Sequence, residues 1–287
     1  MICIHELTKD YGCYKGIFDI SFSLQQGEIV AFLGPNGSGK TTTIRHLMGF
    51  IKADHGKVKI LDMDCFTQAK EISQYLGYLP GEIAFIEDMK GIDFIRFIAE
   101  MRGIKDFLRI DELIEYFELD AKQYIKKMSK GMKQKVGLVI AFMKDVPIYI
   151  LDEPTSGLDP LMQNKFVEYI QKLKKEGKTI LMSSHIFEEV ENTCDRIVVI
   201  KEGRIIADEL IMNIKNKRKK HYEIIFVNEI DALQFSKKYE CILNKNKVSL
   251  FYNDVNELIQ ELHQYKIDEL LIRSQSIEEI FLQYYGG

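Results

Sequence analysis

The stretch AFLGPNGSGKTTTIRHLMGF, Ala31 to Phe50, changes character twice. Ile29, Val30, Ala31, Phe32 and Leu33 form a short apolar run, the pattern of a strand buried on both faces. Beyond it Ile44, Leu47, Met48 and Ile51 recur at i, i+3, i+4 and i+7, the apolar stripe of a helix lying on a sheet. The glycines between them therefore occupy a strand-to-helix turn. Gly34, Gly37 and Gly39 permit backbone conformations and close approaches that a side chain forbids. The helix directs its unpaired N–H groups and positive dipole end back into this loop, which makes an anion site. Lys40 adds a full positive charge, and Thr41 adds a hydroxyl suited to a magnesium ion.

The spacing is G-x-x-x-x-G-K-T across Gly34, Pro35, Asn36, Gly37, Ser38, Gly39, Lys40 and Thr41, with Thr42 next in line. This is a phosphate-binding P-loop, and it predicts a bound nucleotide. A plain glycine-rich turn with an exposed lysine is the alternative. The strand before the loop and the helix after it count against that alternative.

The chain has 287 residues, enough for one large domain or a medium domain and a small one, and its 46% hydrophobic content supports a real core. A net charge of −4 supplies no basic field to draw nucleic acid, so no nucleic-acid partner is expected. The cysteines, Cys3, Cys13, Cys65, Cys194 and Cys241, are scattered singly, with neither metal-ligand spacing nor a disulfide framework. That usage fits a reducing cytosol. Neither a signal segment nor an apolar run long enough to cross a membrane is read in the chain.

Strands and helices alternate from about residue 28 to 200, which predicts an α/β fold with a parallel sheet. The expected strands are Ile29–Leu33, Ile148–Leu151, Thr179–Met182 and Arg196–Ile200. Ile2–Leu7 and Phe18–Leu24 alternate and are expected as an antiparallel edge. Helical patterns such as Ile110, Leu113, Ile114 and Phe117 predict an inserted helical lobe over about 82–128. VVIKEGRIIA reads as a hairpin turning at Glu202-Gly203. The polar run KNKRKK, 215–220, is expected as a linker between a domain at 1–214 and a small α+β domain at 221–287. The second domain reads βαββαβα, compatible with a ferredoxin-like unit.

Two further stretches complete a candidate site. In PIYILDEPTSGLD an apolar strand ends in Asp152, which sets a carboxylate at the edge of the sheet beside the P-loop, where it can hold magnesium. Glu153 follows and is suited to orient or deprotonate an attacking water. In SSHIFEEV, His185 stands at the carboxyl end of the next strand, the edge where α/β sheets bind ligands, and is expected to contact a γ-phosphate.

In this order the motifs resemble the ATP-binding subunits of ABC transporters over residues 1 to about 215. GPNGSGKT resembles Walker A, YILDE resembles Walker B with Glu153 as catalytic carboxylate, and SGLD (156–159) resembles the D-loop. His185 resembles the switch histidine, and Tyr11 the aromatic that stacks on adenine. MSKGMKQK, 128–135, occupies the place of the family's signature; it keeps Ser129 and Gly131, while Lys130 and Met132 replace a glycine and a glutamine. The Q-loop glutamine would fall in GYLPGE, where the chain has Gly81 and then Glu82. Glu82 is therefore a candidate magnesium ligand or a residue of coupling to a partner.

The resemblance implies a P-loop NTPase (RecA-like) core and an ATPase that uses ATP and Mg²⁺. It implies a homodimer or heterodimer with two ATPs between the subunits, each bound by one P-loop and the partner's Ser129 and Gly131. Lys40 acts there with Glu153 and His185 in catalysis. It also implies a separate membrane-spanning permease, a place on the inner face of the cell membrane, and, from the ABC-2-type flavour, export of a drug, antimicrobial peptide or ion. The alternative is a non-transport ABC-type ATPase that works as a regulator or interaction switch.

Overall fold

The computed structural model describes residues 1–184, 186–216, 218–276 and 279–280, and the chain divides into two units, Met1–Ile211 and Met212–Gly287. In chain order the first unit contains β1 (Ile2–Asp10), β2 (Gly16–Leu24), β3 (Ile29–Leu33), α1 (Lys40–Leu47), β4 (His55–Ile60), β5 (Met63–Asp64), α2 (Ala69–Ile72) and β6 (Leu76–Leu79). The helical stretch follows with α3 (Gly91–Met101), α4 (Leu108–Tyr116) and α5 (Lys130–Phe142). The chain then returns through β7 (Ile148–Asp152), α6 (Pro160–Lys175), β8 (Thr179–Ser184), α7 (Phe187–Thr193), β9 (Arg196–Lys201) and β10 (Arg204–Leu210).

The central sheet has the order β10-β9-β3-β8-β7-β6. All its pairs are parallel except the β9–β10 hairpin. Every residue of β3, β7 and β8 is buried, which is why these segments are apolar without alternation. Their registers bring the carboxyl ends level. Leu33 pairs with Ser184, and Asp152 with Ser183. Whatever follows these three strands therefore meets at one edge.

The strands before the P-loop do pair antiparallel, but they are not an edge of the central sheet. They form a sheet of their own, β2-β1-β4-β5. In β4 only Val58 and Ile60 are buried, too few apolar positions to announce a strand locally. The two sheets are joined by the Phe18 N–H, which donates to the Gly203 carbonyl at 2.7 Å. Behind the P-loop their side chains merge into one core that includes Ile17, Ile20, Phe32, Ile44 and Ile200.

The helical lobe expected over 82–128 contains α3 and α4, and the chain re-enters the core along α5. Of the helical pattern in α4 and its end, Ile110, Leu113 and Phe117 are buried and Ile114 is half-buried. Phe117 stacks on Phe142 at 6.3 Å, and Phe142 lies 4.8 Å from Tyr169 of α6. Arg109 donates from Nε to the Phe142 carbonyl at 2.8 Å. This aromatic cluster ties the lobe to the elements around β7.

After α8 (Ile211–Asn216) the second unit contains β11 (Lys220–Phe226), α9 (Glu229–Ser236), β12 (Ile242–Asn244), β13 (Lys247–Tyr252), α10 (Val255–Leu262) and β14 (Ile267–Ser274). Its sheet order, β12-β13-β11-β14, is fully antiparallel, and the βαββαβ sequence has ferredoxin-like topology. Tyr222, Ile224, Phe226, Phe235, Val248 and Leu258 form a separate core. Residues 215–220 are divided between the end of α8 and the start of β11, with Lys217 outside the described residues. The expected last helix falls mostly on residues that are likewise not described. Among the described residues no helix is long and apolar enough to cross a membrane.

Candidate functional site

The loop after β3 is shaped by two different glycine requirements. Gly39 has φ +113, which a side chain rarely adopts, and a Cβ there would stand 2.5 Å from Ile17. Gly34 has no unusual φ; a Cβ there would lie 2.4 Å from the Ile200 carbonyl oxygen. Gly39 is also the N-cap of α1 and has no side chain, so no capping oxygen occupies the first-turn N–H groups. Those N–H groups and the dipole make the mouth of α1 electropositive.

Lys40 is buried, and its Nζ donates to the carbonyls of Gly34 at 2.7 Å and Pro35 at 3.3 Å. The same Nζ lies 3.8 Å from Glu153 Oε1. The Thr41 hydroxyl donates to Asp152 Oδ2 at 3.0 Å, and the other carboxylate oxygen accepts from the Ser183 hydroxyl at 2.5 Å. Asp152 is 1% exposed. Ser38 is buried too, and its Oγ has no hydrogen-bond partner among the described residues. Burial, and after it the Asp152 charge, push the phenol of nearby Tyr78 up to about 12.

A cavity of about 570 Å³ opens over this group. Asn36, Gly37, Gly39, Lys40, Thr41, Thr42, Asp152 and Glu153 line it, and Tyr11 and Tyr14 stand at the other side. The size is that of a small-ligand site. Tyr11 is 55% exposed and Lys9 Nζ stands 5.9 Å from its ring centre; Tyr14 is fully exposed. Sequence reasoning found Tyr11 and missed Tyr14, three residues further along the same loop between β1 and β2.

The remaining candidates are elsewhere or not described. Ser129 is the N-cap of α5 and accepts from the Met132 N–H at 3.2 Å. Neither Ser129 nor Gly131 is among the residues lining the 570 Å³ cavity of their own chain. Nor is Glu82. It lines a second cavity, of about 420 Å³, with Met128, Lys130, Lys133 and Gln134. Gly81 is the residue close to the metal-ligand candidate: a Cβ on it would stand 3.0 Å from Asp152 Oδ2. His185 lies outside the described residues. Its neighbour Ser184 is described, and its hydroxyl accepts from the Ile186 N–H at 3.0 Å and donates to Glu189 Oε2 at 3.1 Å.

The donor set suits Mg²⁺. Thr41 and Asp152 supply two adjacent hard oxygens, the protein share that Mg²⁺ takes when phosphates and waters complete its octahedron.

A P-loop at the carboxyl end of one strand, an Asp-Glu pair at the end of another and an inserted helical lobe define a nucleotide-binding cassette of the P-loop NTPase class. The chain belongs to the ATP-binding proteins of ABC transporters. The family described as ABC transporter matches residues 17–156. The chain is 30% identical to the bacitracin transport ATP-binding protein BcrA of Bacillus licheniformis, over 98% of this chain and 96% of that protein. It is 35% identical to the linearmycin resistance ATP-binding protein LnrL of Bacillus subtilis, over 72% of this chain and 68% of that one. A solved ATP-binding subunit of an ABC transporter superposes with a TM-score of 0.69 at 30% identity, covering 76% of this chain and 92% of that chain. The protein is thus an ABC ATPase subunit that binds ATP and works with a membrane permease.

Proposed function

We propose that the chain is one half of an ATP-gated dimer that drives export, with hydrolysis at a site built from its own P-loop and Asp-Glu pair. The observation that carries this reading is the single cavity in which Lys40, Thr41, Asp152 and Glu153 meet. The loop from Gly34 to Thr42 cradles the phosphates through backbone N–H groups, and Lys40 neutralises charge on the β- and γ-phosphates. Thr41 and Asp152 would hold Mg²⁺, which would supply Lewis-acid stabilisation of the phosphoryl oxygens. Glu153 orients the attacking water and accepts its proton. Tyr11 stacks on the adenine, and His185 contacts the γ-phosphate. Ser129 and Gly131, which do not line their own chain's cavity, serve the nucleotide of the partner. The relatives' names point to antibiotic or antimicrobial-peptide cargo, and the site of work is the inner face of the cell membrane.

The sandwich has a direct test. Glu153→Gln, which retains nucleotide, should dimerise with ATP and remain monomeric with ADP, measured by light scattering. Ser129→Arg in that background should abolish the dimer, because the cation and its bulk occupy the phosphate-contacting cap. An ATP-independent mass would remove the sandwich from consideration.

Glu82 is assigned to coupling with the permease, supported by its exposure and by its not being among the residues that line the cavity holding Lys40. Glu82→Ala should leave basal hydrolysis of the isolated subunit unchanged and uncouple transport in the full complex. Loss of basal activity with a shifted magnesium requirement would return Glu82 to the catalytic site.

A further inference from the structure

Glu153 has φ +52, a left-handed conformation that a non-glycine residue retains only where its surroundings over-determine it. Two side chains from different elements supply that constraint. From β8, the Ser183 hydroxyl accepts the Glu153 N–H at 2.9 Å and in turn donates to Asp152 Oδ1. From α5, Gln134 Nε2 donates to the Glu153 carbonyl at 3.1 Å and to the Pro154 carbonyl at 2.8 Å. Gln134 is 7% exposed, so this amide is committed to the turn and not to solvent. The Ser156 N–H also donates to the Glu153 carbonyl, at 3.1 Å, and closes the turn from within.

We propose that Gln134 is a positioning residue for Glu153, which makes the aim of the carboxylate depend on where α5 stands; this rests on the reading of Glu153 as the water-orienting group. The placement gives the contact its meaning. Gln134 lies five residues beyond Ser129, about 7.5 Å along the helix axis. The helix that presents Ser129 and Gly131 at its start therefore holds the backbone of its own Glu153 one turn further on. Backbone carbonyls have no freedom to swing like a side chain. A shift or tilt of α5 drags the Glu153–Pro154 peptide with it or breaks both hydrogen bonds. In either case the carboxylate is re-aimed while the P-loop, carried by β3 and α1, stays in place. Engagement of α5 by a second subunit's nucleotide would then set the geometry of hydrolysis in its own site.

The test uses the full chain, with steady-state hydrolysis and equilibrium binding of a fluorescent ATP analogue measured separately. Gln134→Leu removes the donor and is expected to lower kcat about 10–100-fold, the scale of an ångström-sized misplacement of a reacting group. Nucleotide affinity should be unchanged and the fold retained, with melting lowered only modestly by the loss of two hydrogen bonds. Gln134→Glu, which retains the shape but opposes a carboxylate to two carbonyls, should fall at least as far. Gln134→Asn, which keeps an amide on a shorter arm, should recover part of the loss. In the Glu153→Gln background, Gln134→Leu should slow single-turnover hydrolysis no further, since the group it positions is already gone. Wild-type turnover in Gln134→Leu would overturn the proposal. So would an equal further loss in the Glu153→Gln background, or loss of affinity or fold in both the Leu and Glu variants. Near-normal hydrolysis by Glu153→Gln alone is a different failure: it removes the reading of Glu153 itself, and the proposal with it.

Discussion

Glu153→Gln is expected to lower ATP turnover about 10²–10⁴-fold, the usual contribution of a positioned general base. The substitution keeps the size and hydrogen-bonding shape of the side chain and removes its basicity. Lys40 Nζ is 3.8 Å from Glu153 Oε1, so the variant also loses one anion beside the lysine. Binding of ATP should persist or tighten, because the phosphates no longer share the site with that carboxylate. The measurement is phosphate release at saturating ATP, with nucleotide binding followed in parallel. Hydrolysis near the wild-type rate would remove Glu153 from the catalytic role.

Lys40→Ala should fail at the other step. Lys40 is the buried cation at the mouth of α1, and a hydrogen bond from a charged donor contributes about 1.5–3 kcal/mol. Its loss should raise the ATP dissociation constant about 10–100-fold, at about 1.4 kcal/mol per decade. The Gly34 and Pro35 carbonyls that it now satisfies are beside the loop opening and are left to water. Titration with a fluorescent nucleotide reads the effect. A dissociation constant equal to that of the unaltered chain would show that the backbone N–H groups alone hold the phosphates. The two variants thus separate binding from chemistry: one should bind normally and turn over slowly, and the other should bind weakly.

The contrast between these residues and the ones first seen in the structure follows from distance along the chain. The P-loop is legible because strand, glycines and helix are consecutive, and each is specified by local sterics and apolar periodicity. Asp152 and Glu153 are legible because a fully buried strand reads as an unbroken apolar run, and its end marks the edge of the sheet. The hairpin at Glu202-Gly203 and the βαββαβ order of the second unit are local patterns as well. By itself, then, the sequence determined the class of fold, the phosphate loop, the candidate metal-ligand pair and the candidate base.

Tertiary structure alone decided which of these groups touch. Thr41 and Asp152 are 111 residues apart and meet only because β3 and β7 flank β8 with their ends level. Sheet partners are chosen by long-range hydrogen bonding that no local pattern encodes, so β1, β2, β4 and β5 became a sheet of their own instead of an edge. Gln134 carried no signal within MSKGMKQK. Its amide has a use only where the fold brings two carbonyls, nineteen and twenty residues away, within 3.1 Å of it. Glu82 and Gly81 show the same limit at close range. Adjacent in sequence, both line a cavity with the start of α5, and the fold in addition sets Gly81 against Asp152, a residue 71 positions away that no local pattern pairs with it.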